Sequence, residues 1–131
     1  MENKQVLAFY IRLSQEDLFK ANGEMDESAS VSHQRDLLRY TYSSRKDLSG
    51  YEVVEFVDDG YSGTNFNRPA FRKMMEEVKR GKIQCIMVKD FSRFARNFLD
   101  AGEYLEQIFP FLGVRFISVN DHYDSDTKEG T

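Results

Sequence analysis

Three short clusters in this sequence bring together residue types suited to handling a phosphate group. Tyr10-Ile11-Arg12-Leu13-Ser14 sets a hydroxyl two residues beyond an arginine. Asp58-Asp59-Gly60-Tyr61-Ser62-Gly63 leads into Asn67-Arg68-Pro69. Lys89-Asp90-Phe91-Ser92-Arg93-Phe94-Ala95-Arg96-Asn97 carries two arginines three apart, which share a face on a helical turn. A serine hydroxyl is a weak nucleophile that needs activation. Phosphoryl transfer asks for positioning and for cations around the equatorial oxygens. Arginine suits that task better than lysine, because its planar fork donates in pairs and stays charged. Taken singly, each cluster has an ordinary reading: a strand end with a loop serine, a turn with a helix cap, a solvated basic helix start. The last of these is electrostatically awkward, since cations at a helix N-terminus oppose the macrodipole. Two arginines in an opening turn point instead to an anion, bound by them together with the first backbone N–H groups.

The elements that must position these clusters are visible as alternating patterns. Residues 6–11, 52–57, 83–88 and 114–119 are near-continuous apolar runs rich in Val and Ile, the pattern of strands buried on both faces of a parallel sheet. Ser30 or Ser32 can cap a helix running to about Asp47, with Val31, Leu37, Leu38 and Tyr42 on its apolar side. A second helix begins around Asn67-Arg68-Pro69; its Phe71, Met74, Met75 and Val78 fall on one face, and Gly81 ends it. A third carries Phe98, Gly102, Leu105, Ile108, Phe109 and Leu112 and stops at Gly113, with Pro110 predicting a kink or an early end. This alternation predicts an α/β fold, a three-layer α/β/α sandwich with a mostly parallel central sheet and right-handed crossovers. The first strand should be central, with crossovers to opposite faces. Ligands of such sheets bind at the carboxyl ends of the strands, where all three clusters fall. Arg12, Arg68, Arg93 and Arg96 are therefore expected to converge on one shallow electropositive site with Ser14 at its edge.

The chain has 131 residues, a size suited to one domain. No apolar run approaches the ~20 residues of a membrane span, and residues 6–11 are too short and too little preceded by basic residues for a signal peptide. The single cysteine, Cys85, sits in an apolar run and reads as core packing; with no disulfide possible, a reducing cytoplasm is the expected home. The net charge of -4 argues against a nucleic-acid partner, but its distribution argues for one. Between Arg68 and Arg96, nine basic residues stand against Glu76, Glu77 and Asp90, a local charge of +6. Residues 15–29 form a long polar segment of the kind that carries function. The polar tail after Asp121 ends without a natural terminal element, as in a domain excised from a longer protein.

Together the clusters resemble the catalytic domain of the serine recombinases: Tyr-x-Arg-x-Ser, then Asp-Gly-x-Ser-Gly with Asn-Arg-Pro, then Ser-Arg-x-x-Arg-Asn after a strand. The likeness covers about residues 5 to 130, and the wording around residues 58–69 is similar to the large branch, the integrases and conjugative-transposon recombinases. The resemblance implies that Ser14 is the nucleophile that forms a covalent 5′-phosphoserine link to DNA. It implies that Arg12, Arg68, Arg93 and Arg96 hold the scissile phosphate, that Gln34 helps arrange the site, and that Asp59 is a supporting acid. Small resolvases carry an aspartate immediately before the first arginine of the final pair; here that position is Ser92, so a carboxylate there does not carry over. The family uses no metal and no ATP, because the phosphoseryl bond conserves the energy of the cut phosphodiester. Its partners are double-stranded DNA and itself, as a dimer and a synaptic tetramer, and its setting is the bacterial cytoplasm. The resemblance implies a long helix and DNA-binding domains after the catalytic domain, expected beyond residue 131 of a longer protein. His33 and His122 match no catalytic position, and the general base is not visible.

Two other classes compete. A phosphoacceptor receiver module also pairs acids with a lysine at strand ends, as Asp58, Asp59 and Lys89 would. The acidic pair then follows the wrong strand, and the arginines go unexplained. An inactive recombinase-like binding domain is opposed by the intact Ser14 and its arginines.

Overall fold

A computed structural model describes residues 4–13, 30–58, 68–95 and 97–126. Strand β1 (Gln5–Arg12) is followed by helix α1 (Val31–Ser44), a 3-10 turn (Lys46–Leu48), β2 (Tyr51–Asp58) and α2 (Pro69–Lys79). Then come β3 (Cys85–Val88) and the short helix α3 (Phe91–Phe94). The next helix is built in three parts, α4 (Phe98–Glu103), a π turn (Tyr104–Ile108) and α5 (Phe109–Leu112). The chain returns through β4 (Arg115–Ser118) and the two-residue β5 (Tyr123–Asp124). The sheet order is β2-β1-β3-β4-β5, parallel throughout except for the antiparallel edge pair β4–β5.

Strand β1 lies between β2 and β3, and its side chains alternate between two cores. Ala8 and Tyr10 face the core made by α2 and the 98–112 helix, with Phe71, Met74, Val78 and Phe109. Leu7, Phe9 and Ile11 face the one closed by α1 and the 3-10 turn, through Leu38 and Leu48. Burial of both faces is why the strand reads as an unbroken apolar run, each such side chain contributing roughly 1.5–3 kcal/mol. The first crossover, α1, and the second, α2, thus cover opposite faces of β1, giving three layers.

Local chemistry sets the element ends. Ser30 Oγ accepts the His33 N–H at 3.0 Å and starts α1. That helix stops at Ser44, short of the expected Asp47, because Arg45 is extended and the chain re-enters as a 3-10 turn that buries Leu48. Gly113, at φ 72°, closes α5 in the left-handed conformation. Pro110 does not end its helix early. The π turn before it sends the Phe109 N–H to the Tyr104 carbonyl, five residues back, and this wider turn carries the helix through the proline to Leu112. Strand β5 has no counterpart in the sequence reading, which left that stretch as a polar tail. Asp124 on β5 accepts Arg115 at 2.8 Å and Arg45 at 2.9 Å, and Asp47 accepts the same two arginines, each at 2.8 Å.

Candidate active site at the carboxyl end of the first strand

Arg12 is the last residue of β1 and is paired in register with Asp58, the last of β2. The Leu13 N–H bonds the Asp58 carbonyl at 3.0 Å, so the backbone groups of Arg12 point away from β2. Pairing with β3 has by then ended, at Phe9↔Met87. The fully buried Gln34 of α1 takes the place of the missing strand. Its Nε2 donates to the Arg12 carbonyl at 3.1 Å, and its Oε1 accepts the Arg12 N–H at 3.4 Å.

The arginine side chains meet at α3. Arg12 donates from Nε to the Arg93 carbonyl at 3.2 Å and from Nη2 to the Ser92 carbonyl. Arg68 donates from Nη1 to the Arg93 carbonyl at 3.3 Å and from Nη2 to the Phe94 carbonyl at 2.9 Å. Arg93 closes the circle by donating from Nη1 to the Arg12 carbonyl at 3.1 Å. The last carbonyls of any helix lack intrahelical partners, and in a four-residue helix these are most of its carbonyls. The guanidinium groups supply the donors, and their charge suits the negative end of the helix dipole. This differs from the sequence reading, in which arginines and open N–H groups shared a helix start. α3 ends at Ala95, separate from the helix that Asn97 caps, and its first amide, Phe91 N–H, is held by Asp121 at 2.8 Å.

The site is also less shallow than expected: Arg12, Arg68 and Arg93 are 4%, 0% and 7% exposed. The Arg68 guanidinium stacks on the Phe71 ring, 4.4 Å from its centre, and lies 5.5 Å from that of Tyr10. Burial pulls the Arg68 pKa below the usual guanidinium range, opposed by Tyr10 and Asp58. Burial likewise pushes the Tyr10 phenol up, against the pull of Arg68.

Asp58, not among the expected site residues, stands beside this cluster. Its carboxylate accepts the Tyr10 O–H at 2.7 Å and the first free amides of α2, Ala70 N–H and Phe71 N–H, both at 2.9 Å. The N-cap position of α2 is Arg68, which offers no side-chain acceptor, so the cap comes from the neighbouring strand. An uncapped Arg-Pro start preceded by a strand-terminal aspartate was the available signal. Ser14, Asp59 and Arg96 lie outside the described residues. His33 and His122 are exposed, and among the described residues no group of three metal-ligating side chains forms. Of the expected set, the structure therefore brings together Arg12, Arg68, Arg93 and Gln34.

The sequence matches the family described as "Resolvase, N terminal domain" over residues 7–131. The chain belongs to that family. A resolvase family site-specific recombinase from Streptococcus pneumoniae is similar at 31% identity and a TM-score of 0.72, with 96% of this chain and 79% of that one covered. The N-terminal catalytic domain of TP901-1 integrase shares the fold at 22% identity, TM-score 0.75, over 96% of this chain and 85% of that one. So does the C-terminal catalytic domain of ISC1926 TnpA, an IS607-like serine recombinase, at 24% identity, TM-score 0.62, over 86% and 68%. A comparison with curated proteins found no match. This resolvase domain is a site-specific recombinase catalytic domain, from a family of DNA strand-transferring enzymes. Among its described residues, no helix is long and apolar enough to cross a membrane.

Proposed function

We propose that Ser14 is the nucleophile of this recombinase and that Arg12, Arg68, Arg93 and Arg96 hold the phosphate it attacks. The observation that carries this is the meeting of three arginine heads around residues 92–94, at the end of the strand that leads two residues later to Ser14. The carbonyls fix the aim of these forks, and three guanidinium groups gathered at one strand end suit an anion. In the proposed step, Ser14 Oγ loses its proton and bonds to phosphorus while the bond from phosphorus to the 3′-oxygen breaks. The 3′-oxygen leaves and takes up a proton, and the 5′ end stays as a phosphoserine ester. Reversal on an exchanged 3′-hydroxyl reseals the strand. Neither metal nor ATP enters, since one phosphodiester is exchanged for another. Gln34 fixes the backbone of Arg12, and Asp59 is a further supporting acid.

The same proposal makes residues 1–131 the catalytic domain of a longer bacterial cytoplasmic protein that acts on double-stranded DNA as a dimer and a synaptic tetramer. The test is to incubate the full-length protein with DNA carrying its recombination site and map the covalent adduct by mass spectrometry. The expected adduct is on Ser14, and Ser14→Ala is expected to abolish it while leaving the fold and DNA binding intact. A Ser14→Ala protein that still cuts its site would overturn the assignment.

A further inference from the structure

Helix α3 is too short to hold a position by itself. Four residues cannot offset the cost of helix nucleation, yet its carbonyls orient both Arg12 and Arg68. Its pose must come from outside attachments, and these converge on the turn between β4 and β5. Asp121 Oδ2 accepts the Phe91 N–H at 2.8 Å and the hydroxyl of the fully buried Ser118 at 2.6 Å. One carboxylate oxygen thus joins the first residue of α3 to the last of β4. The Asn120 N–H bonds the Lys89 carbonyl at 2.8 Å and the Val119 N–H bonds the Val88 carbonyl at 3.0 Å, so the two segments run zipped together up to that point. The Phe91 ring stacks on Phe116 of β4 and meets Tyr123 of β5 edge-on. The preceding residue, Asp90, gives α3 no side-chain cap; its carboxylate accepts the Ser92 hydroxyl instead.

We propose that Asp121 is a positioning residue for recombination: it sets the height of α3 and, through the carbonyls of Ser92, Arg93 and Phe94, the aim of the arginine forks. It acts through other residues and does not itself touch the phosphate. The proposal rests on the recombinase reading, and its test separates the two.

In the full-length protein, Asp121→Ala is expected to lower the rate of adduct formation at saturating DNA on the order of 10- to 100-fold, the scale of a misplacement near 1 Å. The DNA concentration for half-saturation should stay near that of the wild type. Asp121→Asn retains an acceptor oxygen for the Phe91 N–H and is expected to recover most of the rate. Ser118→Ala removes only the second anchor and should give an intermediate loss. Independently of activity, hydrogen exchange in the peptide spanning residues 89–95 should quicken in Asp121→Ala and be restored in Asp121→Asn. Wild-type cleavage and exchange protection in Asp121→Ala would overturn the proposal, and so would an Asn variant as slow as the Ala variant. A wild-type protein that forms no adduct would instead overturn the recombinase reading, leaving the exchange experiment to decide the role of Asp121.

Discussion

The two ends of the sheet each gather arginines, half-buried at one end and buried at the other, and the two clusters are held in different ways. At the amino end of β4, Arg115 and its neighbour Arg45 face the carboxylates of Asp47 and Asp124. At the carboxyl end of β1, Arg12, Arg68 and Arg93 face the carbonyls of one short helix and of Arg12 itself. The carboxylates described near this second cluster divide their bonds: Asp58 holds Tyr10 and the start of α2 while its charge acts on Arg68, and Asp90 accepts Ser92 and stands 3.9 Å from Arg93 Nε. The pKa directions follow. Hydrogen bonding to Asp124 drives Arg115 up, whereas burial drives Arg68 down. A carboxylate cancels a guanidinium; a carbonyl only aims it. Carboxylate pairs tie the amino-end cluster into the architecture, whereas carbonyls give the carboxyl-end forks a fixed aim.

The sharpest way to break this contrast is to remove a cation from each end. Arg68→Ala is expected to slow adduct formation by about 100- to 1,000-fold, some 3–4 kcal/mol in the barrier. Arg68→Lys should not restore it, because a single ammonium cannot span the Arg93 and Phe94 carbonyls as the fork does. Full rescue by lysine would mean that charge alone matters there. Arg115→Met should leave the rate of adduct formation unchanged but lower the unfolding free energy by about 2 kcal/mol in urea titrations, since each of two carboxylates loses one of its two arginines.

The amino-end cluster also predicts a pH dependence. Burial alone would raise the Asp124 carboxyl, but hydrogen bonds from Arg115, the Asp126 N–H and Arg45 outweigh it and hold the pKa at about 2, below the ordinary 3.8. A depressed carboxylate stabilises the fold above its unfolded pKa. Its contribution, on the order of 2 kcal/mol, should be full above about pH 4 and fade as the pH falls toward 2. Arg115→Met should flatten that part of a stability–pH curve; an unaltered curve would place the loss elsewhere. The smallest expected effect sharpens the role of Asp58. Tyr10→Phe removes one donor and should lower stability by about 1 kcal/mol with little change in cleavage. A large loss of cleavage would show that the phenol, and not only the carboxylate, governs Arg68.

Much of this arrangement was legible in the sequence because the physics behind it is local. The strand interiors announced themselves as apolar runs, two-sided burial leaving no room for polar alternation. Arg12, Arg68 and Arg93 were nominated by type and spacing. What escaped depends on pairing between distant residues. Neighbouring Asp58 and Asp59 are equivalent in sequence until the register Arg12↔Asp58 shows that Asp58 ends a strand beside Tyr10. Strand β5 has two residues and no apolar pattern; besides its pairing with β4, one of its anchors is an arginine 79 positions earlier in the chain. The role of α3 was inverted because nothing in residues 89–97 reveals that the helix stops after one turn, leaving its carbonyls, and not its amides, for the arginines.

The unbroken register of β1 with β2, from Gln5↔Tyr51 to Arg12↔Asp58, bears on how such a domain can diverge. The level of Arg12 relative to Asp58 is fixed by the ladder alone, whatever joins the two strands. Doubling the length of a connection adds only about 0.6 kcal/mol of closure entropy. Insertions and deletions in the polar segment 15–29, which lies between these two strands in the chain, can therefore accumulate in a lineage without shifting Arg12 and Asp58 against each other, so the connection is open to natural selection for new contacts while the paired strand ends are inherited unchanged.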